Sequence, residues 1–155
     1  MHVHEKILRI VFAILLAAAA LALASSFVDT SPEWYQSLHK PQLMPPPIVF
    51  GAAWVLLYTL FAASLALILA SKHTNKKAFE LFFITALLNA LWPYTFFYLR
   101  NALGAMFVLG LILYCAIKLF LFIYSVNRAA AYLLIPFVVW VGFALYLNYE
   151  LIFLN

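Results

Sequence analysis

Five long apolar stretches constrain this chain more than any other feature of its sequence. A helix of about 20 apolar residues spans the hydrocarbon core of a bilayer. A backbone in hydrocarbon must satisfy its own hydrogen bonds, and the stretches lack the alternating pattern of barrel strands, so each one predicts a helix. We therefore expect an all-α membrane protein, a five-helix bundle forming a single transmembrane domain over residues 1–155. The predicted spans are 7–27, 50–70, 79–99, 102–125 and 129–153.

Composition supports lipid as the solvent of this chain. Hydrophobic residues make up 68% of it and charged residues only 9%, whereas globular domains are roughly half apolar and a quarter charged. So few charges cannot cover the surface of a water-soluble domain of this length. The net charge of +4 does not indicate nucleic-acid binding, because Lys and Arg lie between the apolar stretches and form no basic face.

The first stretch has a second interpretation as a cleaved signal peptide. Lys6 and Arg9 precede it, and small residues at 22–25 resemble a cleavage site. However, the apolar run over 10–27 exceeds the usual length of a signal peptide core, and the chain returns repeatedly to the membrane. We favour an uncleaved helix.

The distribution of basic residues predicts the orientation in the membrane. Positive residues in short connections accumulate on the side that is not translocated. One side would carry Lys6, Arg9, Lys72, Lys76, Lys77 and Arg128, and the other only Lys40 and Arg100. This predicts an inside N-terminus and an outside C-terminus, and the count suits a bacterial plasma membrane. Lys118, within the fourth stretch, is expected to extend to the inner interface.

The connection between the first two spans is the only long one. It covers roughly residues 28–49 and carries Trp34, Tyr35, Lys40, Pro41 and prolines at 45–47. Long connections of this kind are often lids or binding loops, and the prolines make this one stiff. The alternative is a rigid connector whose aromatic residues anchor at the membrane interface. The residues alone leave both interpretations open.

Three of the stretches carry aromatic and polar residues at helical spacing. Amides are costly in hydrocarbon unless they face another helix or a cavity, so Asn89 and Asn148 are expected to point inward. Tryptophans far from the span ends are not interfacial anchors, which favours an internal small-molecule cavity over simple packing. The aligned residues are Gly51, Trp54, Tyr58 and Phe61 in the second stretch; Thr85, Asn89, Trp92, Pro93 and Phe96 in the third; and Pro136, Trp140, Ala144 and Asn148 in the fifth.

Several other chemistries lack the residues they need. The carboxylates Glu80 and Glu150 lie near helix ends, so an ion-coupled carrier is not expected, although facilitated passage of an apolar molecule stays open. We find no cluster with metal-ligand spacing and no nucleophile and base pair, and expect neither a metal nor a required cofactor. Ala86-x-x-x-Ala90 permits close helix approach and predicts a homodimer through the third helix.

Motifs along nearly the whole chain resemble the translocator protein/tryptophan-rich sensory protein (TspO/MBR) family. Their order and spacing match that family. The matching segments are Trp34-Tyr35-x-x-Leu38-x-Lys40-Pro41, Pro45-Pro46, Trp54-x-x-x-Tyr58, Leu88-Asn89-x-x-Trp92 with Phe96-Phe97, and Leu134-x-Pro136-x-x-x-Trp140-x-x-Phe143-Ala144-x-x-Leu147-Asn148.

The resemblance implies a first loop folded over a cavity among five helices. Members bind porphyrins such as protoporphyrin IX, benzodiazepine-type and isoquinoline carboxamide ligands, and mitochondrial members bind cholesterol. Some bacterial members promote light- and oxygen-dependent porphyrin breakdown involving tryptophans that match Trp54 and Trp140. The resemblance also implies dimers through the third helix. It places Tyr35, Pro45, Asn89, Trp92 and Ala144 in the cavity, to which the helical spacing adds Tyr58 and Asn148, with Trp34, Lys40 and Pro41 in the lid.

The chain departs from the family pattern at three positions. Leu43 replaces a lid tryptophan, Ala86 a polar residue and Phe137 a tyrosine, and these changes are expected to alter ligand preference. No Lys or Arg follows Tyr146 or Tyr149, so no cholesterol site of the Tyr-to-Lys/Arg kind is predicted. The resulting hypothesis is a porphyrin receptor or sensor, with a porphyrin-degrading activity left open. The alternative is a membrane carrier for porphyrin or another apolar molecule.

Overall fold

The computed structural model describes residues 3–70 and 76–155, so Lys72 of the basic-residue count lies outside the described residues. These residues form seven α-helices and one π-helical turn, without strands in the described ranges. The expected all-α architecture is confirmed. The elements are α1 (Val3–Ser26), α2 (Glu33–Ser37), α3 (Pro47–Leu69), α4 (Lys76–Pro93) with its π-helical turn (Tyr94–Tyr98), α5 (Ala102–Val126), α6 (Arg128–Tyr132) and α7 (Ile135–Leu154).

Five helical segments are long and apolar enough to cross a membrane, as predicted. They are α1, α3, α4 with its π-helical turn, α5, and α6 together with α7. α1 packs against α3 and α4, α4 against α5, and α5 against α7, whereas α3 and α7 make few contacts with each other. The two ends of the bundle differ in how closely they are packed. We call the end carrying residues 27–46 and 99–101 the loop end, and the opposite end the far end.

The far end is closely packed. Phe82 is fully buried and its ring lies edge-on to Phe61 at 4.9 Å between centroids, while Phe137 contacts Phe61 at 5.4 Å. The buried Ser64 hydroxyl donates to the Ala130 carbonyl at 2.8 Å, which joins α3 to α6. The polar group in this apolar core is thus satisfied, as burial requires.

The third spanning helix changes form after Pro93. Proline has no N–H, so it cannot donate to the carbonyl of Asn89 four residues earlier, and its ring disturbs the preceding turn. Beyond it the helix widens into the π-helical turn, in which the Leu99 N–H donates to the Tyr94 carbonyl at 3.0 Å. Such turns are common at functional sites. The helical spacing of the sequence did not predict this turn.

The fifth predicted span is two helices rather than one. α6 ends at Tyr132 and α7 begins at Ile135. Pro136 explains the break, because within a continuous helix its ring would clash with the carbonyl of Tyr132. The Asn127 side chain accepts from the Ala130 N–H at 3.1 Å and caps α6.

Candidate ligand cavity beneath the first loop

A cavity of about 500 Å³ lies at the loop end, between α1, α3, α4, α7 and the first loop. This volume is within the usual range for small-molecule sites. The loop covers the cavity, which favours the lid interpretation over the simple connector. Eight of the predicted ligand-binding residues line it: Tyr35, Pro45, Trp54, Tyr58, Asn89, Trp92, Ala144 and Asn148.

Aromatic rings form one continuous wall of the cavity. Trp54 and Trp92 face each other with centroids 6.2 Å apart and planes inclined by 31°. Trp92 stacks on Phe96 at 6.1 Å, and Phe50 contacts both tryptophans at 6.2 Å. These separations lie within the favourable range for aromatic pairs, so the wall can accept a further flat ring.

Four buried polar atoms of the cavity have no hydrogen-bond partner. They are Tyr58 Oη, Asn89 Oδ1, Trp92 Nε1 and Asn148 Oδ1. The Asn148 amide is held in place, because its Nδ2 donates to the Ala102 carbonyl at 2.8 Å and leaves Oδ1 unpaired. A buried polar group without a partner costs free energy, which a ligand with complementary donors and acceptors would recover.

The cavity is also uncharged. None of the residues that line it is Asp, Glu, Lys or Arg. Both Asn89 and Asn148 are buried, with 4% of each residue exposed, as the cost of an amide in hydrocarbon predicts. The deep part of a ligand would therefore be neutral, since an unpaired charge is expensive in an apolar site.

Trp140 lies one ring behind the aromatic wall. It is not among the residues that line the cavity; its ring packs against Phe50 at 5.7 Å and Phe143 at 5.6 Å. Trp140, which was expected among the ligand-binding residues, touches the lining residue Phe50 but does not itself line the cavity. Its part in any photochemistry stays a prediction.

The lid residues fasten the loop above the cavity. Trp34 meets Phe96 edge-on at 5.6 Å, and Tyr35 contacts Phe97 at 5.5 Å. Lys40 Nζ lies 4.6 Å from the centre of the Tyr35 ring, within range of a cation–π interaction. Pro41 is buried. Burial raises the pKa of Tyr35 above its ordinary value.

The end of α7 also holds the loop. The His39 N–H donates to Asn155 Oδ1 at 2.8 Å, and Asn155 Nδ2 donates to the His39 carbonyl at 3.0 Å. This two-bond link joins residues 116 positions apart. No sequence pattern predicts this link, because His39 stands at an unspecified position of the first-loop motif and Asn155 lies outside all the motifs.

Other lining residues were missed as well. Phe50 lies one turn before Trp54, so the helical spacing could have included it. Phe96, which the helical spacing had included, and Phe97, which it had not, both line the cavity, although adjacent residues on a regular helix point in different directions. The wide π-helical turn accounts for this. Phe61, by contrast, continues the stripe of Trp54 into the far-end core.

Ala86 and Ala90, the small residues expected at a dimer interface, are buried within a single chain. Ala86 and Ala90 keep only 7% and 6% of their surface exposed within a single chain. Their small size lets helices of this same chain approach closely. Ala86 and Ala90 are thus buried within one chain, whose outward face of α4 is formed by Phe83, Ile84, Leu87 and Leu91. A homodimer through the third helix stays a prediction.

The departures from the family pattern fall in different places. Leu43 is 60% exposed and does not line the cavity, whereas Phe137 is buried against Trp54 and Phe61. Neither residue touches the cavity, so any effect on ligand preference would act through the lid or the wall behind Trp54.

Fold and cavity together define a multi-pass integral membrane protein with an aromatic-lined cavity inside its helix bundle. Within that class the comparison with known sequences is decisive. The TspO/MBR family profile matches residues 12–154, and the chain belongs to this family.

Relatives match over most of their own length. The chain is 34% identical to the Tryptophan-rich protein TspO of Archaeoglobus fulgidus, covering 97% of this chain and 99% of the relative. It is 31% identical to the Protein CrtK of Rhodobacter capsulatus, with 93% and 92% covered. The Translocator protein of Homo sapiens is 33% identical, with 75% of this chain and 71% of the relative covered.

Proposed function

We propose that the protein is a membrane receptor or sensor that binds a porphyrin, such as protoporphyrin IX, or a related flat apolar molecule. The observation that carries the proposal is one neutral cavity that combines an aromatic wall with four unpaired polar atoms. A flat, conjugated macrocycle can pack against indole and phenyl faces. Its ring nitrogens and substituents can supply donors and acceptors to the unpaired atoms.

The two carboxylates of such a ligand constrain its orientation. The deep cavity offers no cation, so the carboxylates would lie at the loop, where they can reach water. Lys40, which is exposed and lies 4.6 Å from the centre of the Tyr35 ring, is the cation that the lid motif offers them. The ring would then occupy the space between Trp54 and the lid.

Light-dependent breakdown of the porphyrin is a further part of the proposal. Trp54 lines the cavity and is the indole placed to react. In this scheme the illuminated porphyrin takes one electron from Trp54, which becomes a radical cation, and O2 takes that electron to become superoxide. The Trp54 radical cation then takes one electron from the porphyrin and returns to tryptophan. The porphyrin radical cation combines with superoxide, so that both oxygen atoms of O2 enter the macrocycle as one of its carbon–carbon bonds breaks. Trp140 acts by positioning Phe50 against the wall.

A carrier is the second candidate function. Gly51 and Val55 line the cavity and are also exposed, so the cavity adjoins the outer surface of the bundle on the α3 side. A neutral lining also suits facilitated passage of an apolar molecule without coupling to ions.

We also propose the orientation that the basic residues predict. The far end carries Arg9, Lys76, Lys77 and Arg128, whereas the loop end carries Lys40 and Arg100. The far end then faces the cytoplasm of a bacterial plasma membrane, with the lid outside.

A dark titration followed by illumination tests the proposal. The protein in lipid nanodiscs is titrated with protoporphyrin IX while tryptophan fluorescence is followed. Trp54→Phe and Trp140→Phe form a matched pair, since only Trp54 lines the cavity. We expect saturable binding, weakened about tenfold by Trp54→Phe and less than about threefold by Trp140→Phe.

The outcomes separate the candidates. Quenching that does not saturate contradicts the cavity assignment, and so does an equal loss of affinity in both variants. If binding is intact but illumination bleaches the bound porphyrin no faster than the free one, the degradation proposal is wrong. Directional accumulation of porphyrin in proteoliposomes would favour the carrier instead.

A further inference from the structure

The first loop is fastened to the bundle at two different helices. On one side the half-buried Trp34 and Tyr35 pack against the rings of the π-helical turn. On the other side His39 is bonded to Asn155 at the end of α7. We call the first attachment the aromatic edge of the lid and the second the clasp. The lid is thus held by two attachments of unlike chemistry.

The clasp consists of hydrogen bonds that a single side-chain amide makes. Asn155 Oδ1 accepts from the His39 N–H at 2.8 Å, and Asn155 Nδ2 donates to the His39 carbonyl at 3.0 Å. The same Nδ2 donates to the Leu151 carbonyl at 2.8 Å, which fixes the amide on its own helix. Leu151 is buried and lines the cavity. The clasp therefore joins the lid directly to the cavity wall that α7 forms.

The two attachments differ in the free energy that resists their separation. Parting the aromatic edge exposes apolar rings, whose burial is favourable in proportion to their area. Parting the clasp exposes only polar groups that water can bond instead, so these hydrogen bonds contribute little net free energy. Both His39 and Asn155 are already exposed at the loop end. The clasp is therefore the attachment that opens more readily, and the aromatic edge is the hinge.

We propose that Asn155 is a positioning residue of the lid, and that the ligand enters and leaves the cavity where the clasp opens. This inference rests on the proposed function, because it concerns the ligand of the same cavity. Opening at His39 uncovers the cavity wall on α7, which Leu147, Asn148 and Leu151 form. The opening faces water, so the carboxylates of a porphyrin stay solvated during passage.

A lateral way into the cavity suits this ligand less well. Gly51 and Val55 line the cavity and are exposed on the lipid side of α3. A porphyrin that entered there would carry its carboxylates into hydrocarbon, where an unpaired charge is costly. The route through the clasp avoids that cost. The lateral opening is the alternative that the experiment has to exclude.

The clasp closes over the empty and the occupied cavity alike in this scheme. It therefore stabilises the closed lid equally before and after binding, and its loss lowers the barrier to opening in both states. Entry and release both become faster, while the affinity, which is the ratio of their rate constants, stays nearly constant.

Exchange kinetics test the proposal. Association and dissociation of protoporphyrin IX are followed by stopped-flow tryptophan fluorescence of the protein in lipid nanodiscs. We expect Asn155→Ala to raise both rate constants about five- to tenfold and to change Kd less than about twofold. A residue that only stabilised the fold would alter the unfolding temperature without this parallel increase of the two rate constants.

Ser37→Ala is the matched control. The exposed Ser37 hydroxyl donates to the Trp34 carbonyl at 2.9 Å, a bond that stays within the lid. Its loss removes a side-chain hydrogen bond from the same segment but no link to α7, and should leave both rate constants unchanged. Asn155→Asp keeps the acceptor for the His39 N–H and loses the donor, so its rate constants should lie between those of the wild type and Asn155→Ala.

A reversible lock should have the opposite effect. In a Cys115→Ser background, His39→Cys and Asn155→Cys place two thiols at the clasp, where an added oxidant joins the lid to α7 by a disulfide. We expect the oxidised protein to exchange porphyrin roughly tenfold or more slowly than its reduced form. Unaltered exchange after oxidation, or unaltered rate constants in Asn155→Ala, overturns the proposal and favours the lateral opening.

Hydrogen exchange separates this proposal from the ligand assignment. In the ligand-free protein the amides of residues 38–44 report lid opening directly, and Asn155→Ala should accelerate their exchange roughly fivefold. If porphyrin does not bind while this acceleration is seen, the proposed function is wrong and the clasp stands. If porphyrin binds while Asn155→Ala and the wild type exchange these amides equally fast, the clasp is wrong and the proposed function stands.

Discussion

The loop end and the far end of the bundle use the same kind of apolar helix for different purposes. At the far end Phe82 is fully buried against Phe61, and the buried hydroxyl of Ser64 has a carbonyl partner. At the loop end a cavity of about 500 Å³ stays open, and polar atoms of Asn89 and Trp92 on its wall lack partners.

This difference separates stability from binding. Close packing and satisfied hydrogen bonds stabilise the folded state. Open space and unpaired polar atoms cost stability, and they are retained where a ligand can use them. Changes at the far end should therefore affect unfolding, and changes at the loop end should affect ligand affinity.

The largest expected effect is on stability at the far end. Phe82→Ala removes a fully buried ring that contacts Phe61 at 4.9 Å and should lower the free energy of unfolding by about 3–5 kcal/mol. Thermal unfolding in detergent measures the change. The neighbouring Phe83 is 42% exposed, so Phe83→Ala is the matched control and should have a much smaller effect. Equal losses would contradict the contrast between core and surface.

A crossed pair of substitutions tests both ends together. Asn89→Leu removes an amide whose Oδ1 is unpaired in the cavity and should weaken porphyrin binding about tenfold while leaving unfolding nearly unchanged. Ser64→Ala breaks the hydrogen bond to Ala130 and should lower stability by about 1 kcal/mol with affinity unchanged. For each variant, fluorescence titration measures the affinity for porphyrin and thermal unfolding measures the stability. If each substitution altered both quantities equally, the two ends would not be functionally separate.

The smallest expected effect concerns the lid at high pH. Burial raises the pKa of Tyr35 in the folded protein, so the neutral phenol is favoured by folding. The stabilisation is complete below the ordinary tyrosine pKa of about 10 and is lost as the pH rises through the folded-state pKa. Subtracting the phenolate absorbance titration of Tyr35→Phe from that of the wild type isolates this residue. If the difference shows a Tyr35 pKa at or below the ordinary value, the burial of this residue in the lid is contradicted.

Local patterns in the sequence determined the helices of this protein and the residues that face its interior. Apolar length specified the helices, because a backbone in hydrocarbon must bond within its own segment. Helical spacing and the cost of buried amides placed Trp54, Asn89 and Asn148 toward a common interior, and the structure puts all three on the cavity wall. These predictions needed only the chemistry of neighbouring residues on one helix.

Tertiary structure decided what depends on residues far apart in the chain. The π-helical turn after Pro93 brings both Phe96 and Phe97 to the cavity, and Asn155 holds the loop at His39. Trp140 is set behind Phe50, although its spacing matches that of the lining residues. Spacing along a helix gives the face on which a side chain lies. Which neighbouring helix or loop meets that face is fixed only when the whole bundle packs.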